Sequence, residues 1–208
     1  RERTKAIPDG VYEAESFMDD DAVDVAKRVP IRVKVIVSGD QMTVDLTDVA
    51  KQVRGFYNSG ATTGFACAQV AFKCVTSPTD YPINDGSFRN LQVVLPPGKF
   101  LSAGPTAAMA RYSSPLAAVM DTIVSALAQA MPDKVTAGHH ANFGSHRFQG
   151  INPRTGRLFS HLDTAHGGWG ASDGRDGAGP YKTMAHGDTL DVPVEAQEAL
   201  YPLTVDYY

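Results

Sequence analysis

Basic excess is missing from this chain. Nineteen lysines and arginines stand against twenty-three aspartates and glutamates, a formal charge of −4. Without a cationic stripe there is no footprint for a phosphate backbone, so no nucleic acid partner is expected. Long apolar runs are missing too. No stretch approaches the roughly 20 residues of a membrane helix, so no membrane partner is expected either. Arg1-Glu2-Arg3-Thr4-Lys5 is charged, but Pro8 and Asp9 stand where the apolar part of a secretory signal belongs. Cysteine is scarce, with only Cys67 and Cys74. Seven apart on a helix, they lie roughly 10 Å apart along its axis, too far for a disulfide. Reduced thiols suit a cytoplasmic protein, and both read as small apolar core residues.

Several chemical signatures are also lacking. There is no Gly-x-Ser-x-Gly and no other sequence signal of a nucleophile. Gly98-Lys99 is followed by Phe100, so it is not a phosphate-binding loop. No His-Glu-x-x-His and no cysteine pair offers zinc spacing, so no metal ligand is assigned. The Asp19-Asp20-Asp21 triplet has no calcium-loop continuation and reads as a solvated acidic turn.

What is present is an ordinary globular composition, 43% apolar and 20% charged over 208 residues, with neither repeat nor linker. Residues 1–208 are therefore read as a single domain. Gly10–Phe17 alternates large and polar residues. Ile31, Val33, Val35 and Val37 share one face, with Arg32, Lys34 and Ile36 opposite. Ser38-Gly39-Asp40 turns the chain and 42–46 returns, which predicts an antiparallel meander. A helix is predicted over 63–75, capped by Asn58 or Ser59, carrying Phe65, Val70, Phe72 and Cys74, and stopped at Ser77-Pro78. Tyr81-Pro82-Ile83-Asn84-Asp85-Gly86 reads as a turn cluster, and 91–95 as a short strand. A second helix is predicted over 114–130, capped by Ser113 or Ser114, with Pro115 in its first turn. Leu116, Val119, Met120, Ile123, Val124 and Leu127 recur on it at three and four. The expected fold class is α+β: a mostly antiparallel sheet, two main helices on one face, and a Gly/His-rich loop region.

That last region changes character. Between Gly138 and Gly187 lie eleven of the nineteen glycines and all six histidines, His139, His140, His146, His161, His166 and His186. Strand pieces are expected at 143–148 and 158–162, joined by the turn Asn152-Pro153-Arg154-Thr155-Gly156, with His146 facing His161. Imidazoles serve as proton shuttles near neutral pH. Glycines allow close backbone approach, and Gly167-Gly168-Trp169-Gly170 followed by Gly174-Arg175-Asp176-Gly177 suits a loop lining a substrate cleft or a partner surface. Trp169, the only tryptophan, suits a lid or an interface.

Taken in order, several of these motifs resemble the hydantoinase B/oxoprolinase family. The likeness runs through Ile7-Pro8-Asp9-Gly10-Val11-Tyr12, Pro30 to Val35, Gln52-Val53-Arg54-Gly55, Pro82 to Ser87 and Asn152 to Arg157. It continues through the two glycine motifs, Thr189 to Glu195 and Tyr201-Pro202-Leu203. The resemblance implies a fragment of a larger B-type subunit working in a hetero-oligomer. Its partners would be an A-type ATP-binding subunit and the remaining parts of the B-type subunit. The substrate would be a small cyclic amide such as a hydantoin, 5-oxoproline or another lactam. Related assemblies carboxylate acetone or acetophenone, and a non-catalytic assembly role is the third alternative. ATP with magnesium and a divalent metal are expected elsewhere in the complex, with no cofactor bound by this segment. In that reading His139, His140 and His166 are the catalytic candidates, and Asn142, Gly168, Trp169, Asp176 and His186 line the cleft. Two departures from the family pattern point to a divergent substrate class. Ala110-Arg111-Tyr112-Ser113-Ser114 stands where many members have a Gly-Asn-x-Glu-Thr-Ser run, and Ala185-His186-Gly187-Asp188-Thr189 replaces a run richer in Asn and Thr. Bare apolar surface is expected where the rest of the subunit docks.

Overall fold

A computed structural model describes residues 1–76, 83–141, 144–164, 166–186 and 191–206. After a short helix α1 (Glu2–Lys5), strands β1 (Gly10–Met18), β2 (Val29–Ser38) and β3 (Gln41–Asp45) form the expected antiparallel meander. Helix α2 (Ala61–Thr76) follows, and then β4 (Leu91–Val94), which pairs parallel to β3 and completes a four-stranded sheet in the order β1-β2-β3-β4. The alternation in β2 sets the core: Val29, Ile31, Val33, Val35 and Val37 are all buried, while Arg32 and Lys34 reach across the outer face to Glu15 and Glu13. Each buried branched side chain contributes roughly 1.5–3 kcal/mol relative to exposure.

Helix α3 (Ser113–Ala126) lies on the meander with Leu116, Val119, Met120, Ile123 and Val124 buried, as their spacing requires, and Leu127 just beyond its end is buried too. It begins one residue earlier than expected. Ser113 and Ser114 are its first helical residues rather than its caps, and Tyr112 stands at the cap position without a side-chain bond. Helix α2 packs against α3 and β4, but through a different stripe from the one its large residues suggest. The buried side is Gly64, Cys67, Ala68, Ala71 and Phe72, at i, i+3, i+4, i+7 and i+8, while Phe65 and Cys74 are exposed. Small residues on that side let the backbones approach closely. The Ser77-Pro78 helix stop and Tyr81 and Pro82 lie outside the described residues; Asp85–Phe88 is a short 3-10 turn.

Asn58 does not cap α2. Its amide is buried and joins its own loop to a distant one, accepting from the Val53 N–H and donating to the carbonyls of Val53, Gly55 and Ala108. The acidic triplet also departs from expectation, because Asp21 is only 4% exposed. Its carboxylate accepts the N–H groups of Val23, Asp24 and Gly55 at 2.9, 2.6 and 2.9 Å. Gly55 is held there by space: a Cβ on it would come within 1.5 Å of the Asp21 carbonyl oxygen.

The last third forms a two-stranded hairpin, β5 (Ser145–Ile151) and β6 (Leu158–Thr164). Asn152 closes its loop, donating its N–H to the Arg157 carbonyl while its side-chain oxygen accepts from the Arg154 N–H. That closure sets the register, so His146 pairs with Asp163 and His161 with Phe148. His146 and His161 are therefore diagonal neighbours rather than opposite one another. One hairpin face is covered, His161 and Phe159 packing against Tyr201 with ring centroids 4.6 and 6.2 Å away. The other leaves Ile151, Leu158 and Leu162 exposed. Helix α4 (Val194–Leu200) is docked by Arg154, whose guanidinium donates to the carbonyls of Glu198, Ala199 and Tyr201 at the helix C-terminus.

Candidate functional site

The glycine-rich segment folds back on itself because its residues permit very close backbone contacts. Gly167 and Tyr181 exchange both backbone bonds, Trp169 N–H donates to Ala178 O, and Gly170 N–H donates to Gly138 O. A Cβ on Gly167 would sit 2.2 Å from the His140 ring, and one on Gly177 would sit 2.3 Å from the Trp169 carbonyl oxygen. The result is a cavity of about 1120 Å³ lined by His166, Trp169, Arg175, Asp176, Lys182, Thr183 and Asp191, among others.

Of the sequence candidates, His166, Trp169 and Asp176 line this cavity. Gly168 belongs to the same strand-like run, accepting the His140 N–H at 3.0 Å through its carbonyl. His139 and His140 stand behind the wall. Asn142 lies outside the described residues, as do Gly187, Asp188 and Thr189.

His166 is fixed by a charged network. Its Nε2 lies 2.9 Å from Asp191 Oδ2, and the Lys182 ammonium lies 2.5 Å from Asp191 Oδ1. Lys182 directs its other two donors to the Thr164 carbonyl and hydroxyl, and its side chain is only 7% exposed. A carboxylate is acceptor-only, so Nε2 must carry the hydrogen; in the neutral ring Nδ1 then holds a lone pair. This is the arrangement of an oriented proton acceptor at a cavity wall.

His139 is sealed. Its side chain has no solvent exposure; Nδ1 lies 3.1 Å from Asp121 Oδ1 and Nε2 lies 3.0 Å from Thr183 Oγ1. The Trp169 ring packs on it, 5.4 Å between centroids, while the indole N–H donates to the Lys182 carbonyl. Both ring nitrogens of His140 are buried and find no partner among the described residues. Burial, then the neighbouring His139 and His166, hold its pKa below the ordinary imidazole value against the pull of its bond to Gly168. His186, in the 3-10 turn Met184–His186, is likewise lowered, by burial first and then by Lys182. Asp121, Thr183, Lys182 and Asp191 carry no local motif. Their partners lie far along the chain, and only the folded structure joins them.

Among the described residues no three His, Cys, Asp or Glu side chains are placed to hold a metal ion. The described residues do not fit one. Nor, among the described residues, is any helix long and apolar enough to cross a membrane.

Residues 1–208 match the hydantoinase B/oxoprolinase family throughout. The chain belongs to that family. It is 32% identical to the B-type subunit of a putative D-/L-hydantoinase from Pseudomonas sp. (strain NS671), covering all of this chain and 36% of that protein. It is 25% identical to the beta chain of the caprolactamase of Pseudomonas jessenii, over 97% of this chain and 35% of that one. The crystal structure of the ATP-dependent caprolactamase from Pseudomonas jessenii superposes with a TM-score of 0.84 over 99% of this chain and 36% of the other. An acetone carboxylase, in its nucleotide-free structure, superposes at 0.78 over 94% of this chain and 28% of the other. At 16% identity that last likeness is one of fold. This hydantoinase B/oxoprolinase chain thus spans about a third of the length of the relatives it matches.

Proposed function

We propose that this chain is part of the B-type subunit of an ATP-dependent hydrolase of cyclic amides, and that its Gly/His-rich third walls the hydrolytic chamber. The observation that carries this reading is the cavity beside His166, in a chain whose relatives include proteins named for hydantoin and caprolactam. Its volume exceeds what a small lactam fills, which leaves room for the rest of the assembly to close over the substrate.

Ring amides resist hydrolysis, and activating the carbonyl by ATP on a separate A-type subunit lowers that barrier before water attacks. Nucleotide and metal would be handled by polypeptide beyond these 208 residues. Here His166, steadied by Asp191 and Lys182, is the group that takes a proton from, or returns one to, a substrate in the cavity. Trp169 supplies an apolar wall, and Asp176 with Arg175 supplies polarity at its edge. His140 packs behind the same wall, against Gly167. The free thiols of Cys67 and Cys74 fit a reducing, cytoplasmic setting.

The fold shared with an acetone carboxylase favours one second reading, ATP-dependent carboxylation of a ketone. One assay separates the two. The full protein, assembled with its ATP-binding partner, is given ATP with hydantoin, 5-oxoproline or caprolactam, and in parallel ATP with bicarbonate and acetone. Lactam-dependent ADP release with ring opening is the expected result. ATP turnover that needs bicarbonate and ketone, with every lactam left intact, contradicts the proposal.

A further inference from the structure

Two cations on the cavity wall play no part in the His166 network. Lys182 is neutralised by Asp191. Lys134 and Arg175 line the same cavity, and among the described residues neither is in an ion pair. The folding of the backbone brings them to one side. Segment 132–138 runs beside 170–175: Ala137 N–H donates to Ala171 O at 2.7 Å, Asp173 N–H donates to Pro132 O at 3.2 Å, and Gly170 N–H donates to Gly138 O. Ser172 N–H and Arg175 N–H each donate to the other's carbonyl at 3.0 Å, a tight turn in which Gly174 takes φ +72°. The Arg175 guanidinium is steadied by one bond, Nη2 to the Asp133 carbonyl at 3.0 Å, beside the backbone that carries Lys134. A guanidinium has five N–H donors, so this bond leaves most of the fork to a ligand. Thr136 and Ser172 add hydroxyls to the same stretch of wall. Asp176 is the one carboxylate of the lining outside the His166 network, so two positive charges stand there against one negative. In a chain of net charge −4 that local excess runs against the overall balance.

We infer that Lys134 and Arg175 form the anion-holding end of this cavity, and that its ligand carries an oxyanion. The inference rests on the function proposed above and narrows its substrate to a cyclic amide with an acidic group, as in 5-oxoproline, over an uncharged lactam. The fork of Arg175 matches a carboxylate in two parallel bonds, and the Lys134 ammonium adds a point charge. Trp169 and Pro180 give the same cavity apolar surface for the ring. A phosphoryl group brought to the amide oxygen from ATP has the same oxyanion chemistry, and the test separates these two sources. Both side chains act here as binding residues. They hold one end of the ligand and exchange no proton with the reacting bond, so affinity is the quantity that reports on them. Closure of the cavity by the rest of the assembly removes water from around the pair and strengthens its hold on an anion.

The test is equilibrium binding to the full assembled protein without ATP, read by ligand-observed NMR. Three ligands are compared: 5-oxoproline, 2-pyrrolidinone, which is the same ring without the carboxylate, and inorganic phosphate. Wild-type protein is expected to bind 5-oxoproline about 10-fold or more tightly than 2-pyrrolidinone. Arg175→Met and Lys134→Met are each expected to lower affinity for 5-oxoproline by about 10- to 100-fold relative to 2-pyrrolidinone. Arg175→Lys, which keeps the charge and loses the fork, should lose less than Arg175→Met. A purely structural role would weaken both rings alike and leave their ratio unchanged. Arg175 also ties its turn to the Asp133 carbonyl, so Lys134→Met carries the test where Arg175→Met disturbs the wall. A selective loss for 5-oxoproline assigns the ring carboxylate; a selective loss for phosphate alone assigns the phosphoryl group. Anion affinities that stay in their wild-type ratio to 2-pyrrolidinone in both methionine variants overturn the inference. So does a wild-type protein that binds 2-pyrrolidinone as tightly as either anion. Binding needs no turnover, so the two proposals fail separately. Anion binding through these cations with every lactam left intact keeps the site and removes the hydrolase; lactam opening with unaltered ratios does the reverse.

Discussion

At neutral pH the Asp21 carboxylate accepts three backbone N–H groups from a place almost closed to water. The Asp24 amide is the foremost cause of its low pKa; burial opposes the shift, and the amides of Gly55 and Val23 add to it. Together they bring Asp21 from 3.8 to about 2. The folded state binds the proton less readily than the unfolded one. Asp21 therefore contributes its full stabilisation above pH 3.8 and loses it as the pH falls through about 2. Asp21→Asn replaces one carboxylate oxygen by an NH₂ that must face a backbone donor. The expected loss in urea unfolding at pH 7 is about 1–3 kcal/mol, narrowing toward zero near pH 2. A variant as stable as wild type at pH 7 would show that the three bonds are dispensable. Nothing in the Asp-Asp-Asp run distinguishes this residue from exposed Asp19 or half-buried Asp20, because one of its donors, Gly55, lies 34 residues away.

At the scale of elements, what could be read from sequence was what each element states within itself. The alternation of β2 and the three-four spacing of α3 named their buried sides correctly, because burial period and backbone period coincide there. Helix α2 was harder. Apart from Phe72, its core side is built of Gly64, Cys67, Ala68 and Ala71, residues with little hydrophobic signal, while the conspicuous Phe65 points outward. The hairpin was legible as two strands but not in register, since the loop bonds of Asn152 decide which residues face each other. The attachment of α4 was not legible at all. It depends on Arg154 reaching carbonyls more than forty residues on, at the end of the helix where a cation is favoured by the helix dipole. Arg154→Ala should release that helix. Hydrogen exchange is expected to show protection lost over 194–200 with that of α3 unchanged. Unchanged exchange in 194–200 would mean that Tyr201, packed on the hairpin, holds the segment without the guanidinium.

Across the whole molecule, the four-stranded sheet with α2 and α3 is a scaffold, and the chemistry gathers where loops from distant parts of the chain converge on it. Lys182, Thr183 and Asp191 join His166 and Trp169 around one cavity, and Asp121 reaches them from α3 through His139. The histidines were visible in the sequence because imidazoles in a glycine-rich run are conspicuous. Their partners were not, since Asp, Lys and Thr are ordinary residues until the fold places them. The proposed function requires that cavity to be a reaction chamber. The most direct test is the steady-state kinetics of His166→Ala in the assembled protein with ATP and its lactam. Losing the oriented base should lower kcat by about 10²–10⁴-fold with the fold intact, whereas wild-type kcat in a folded variant would contradict the account.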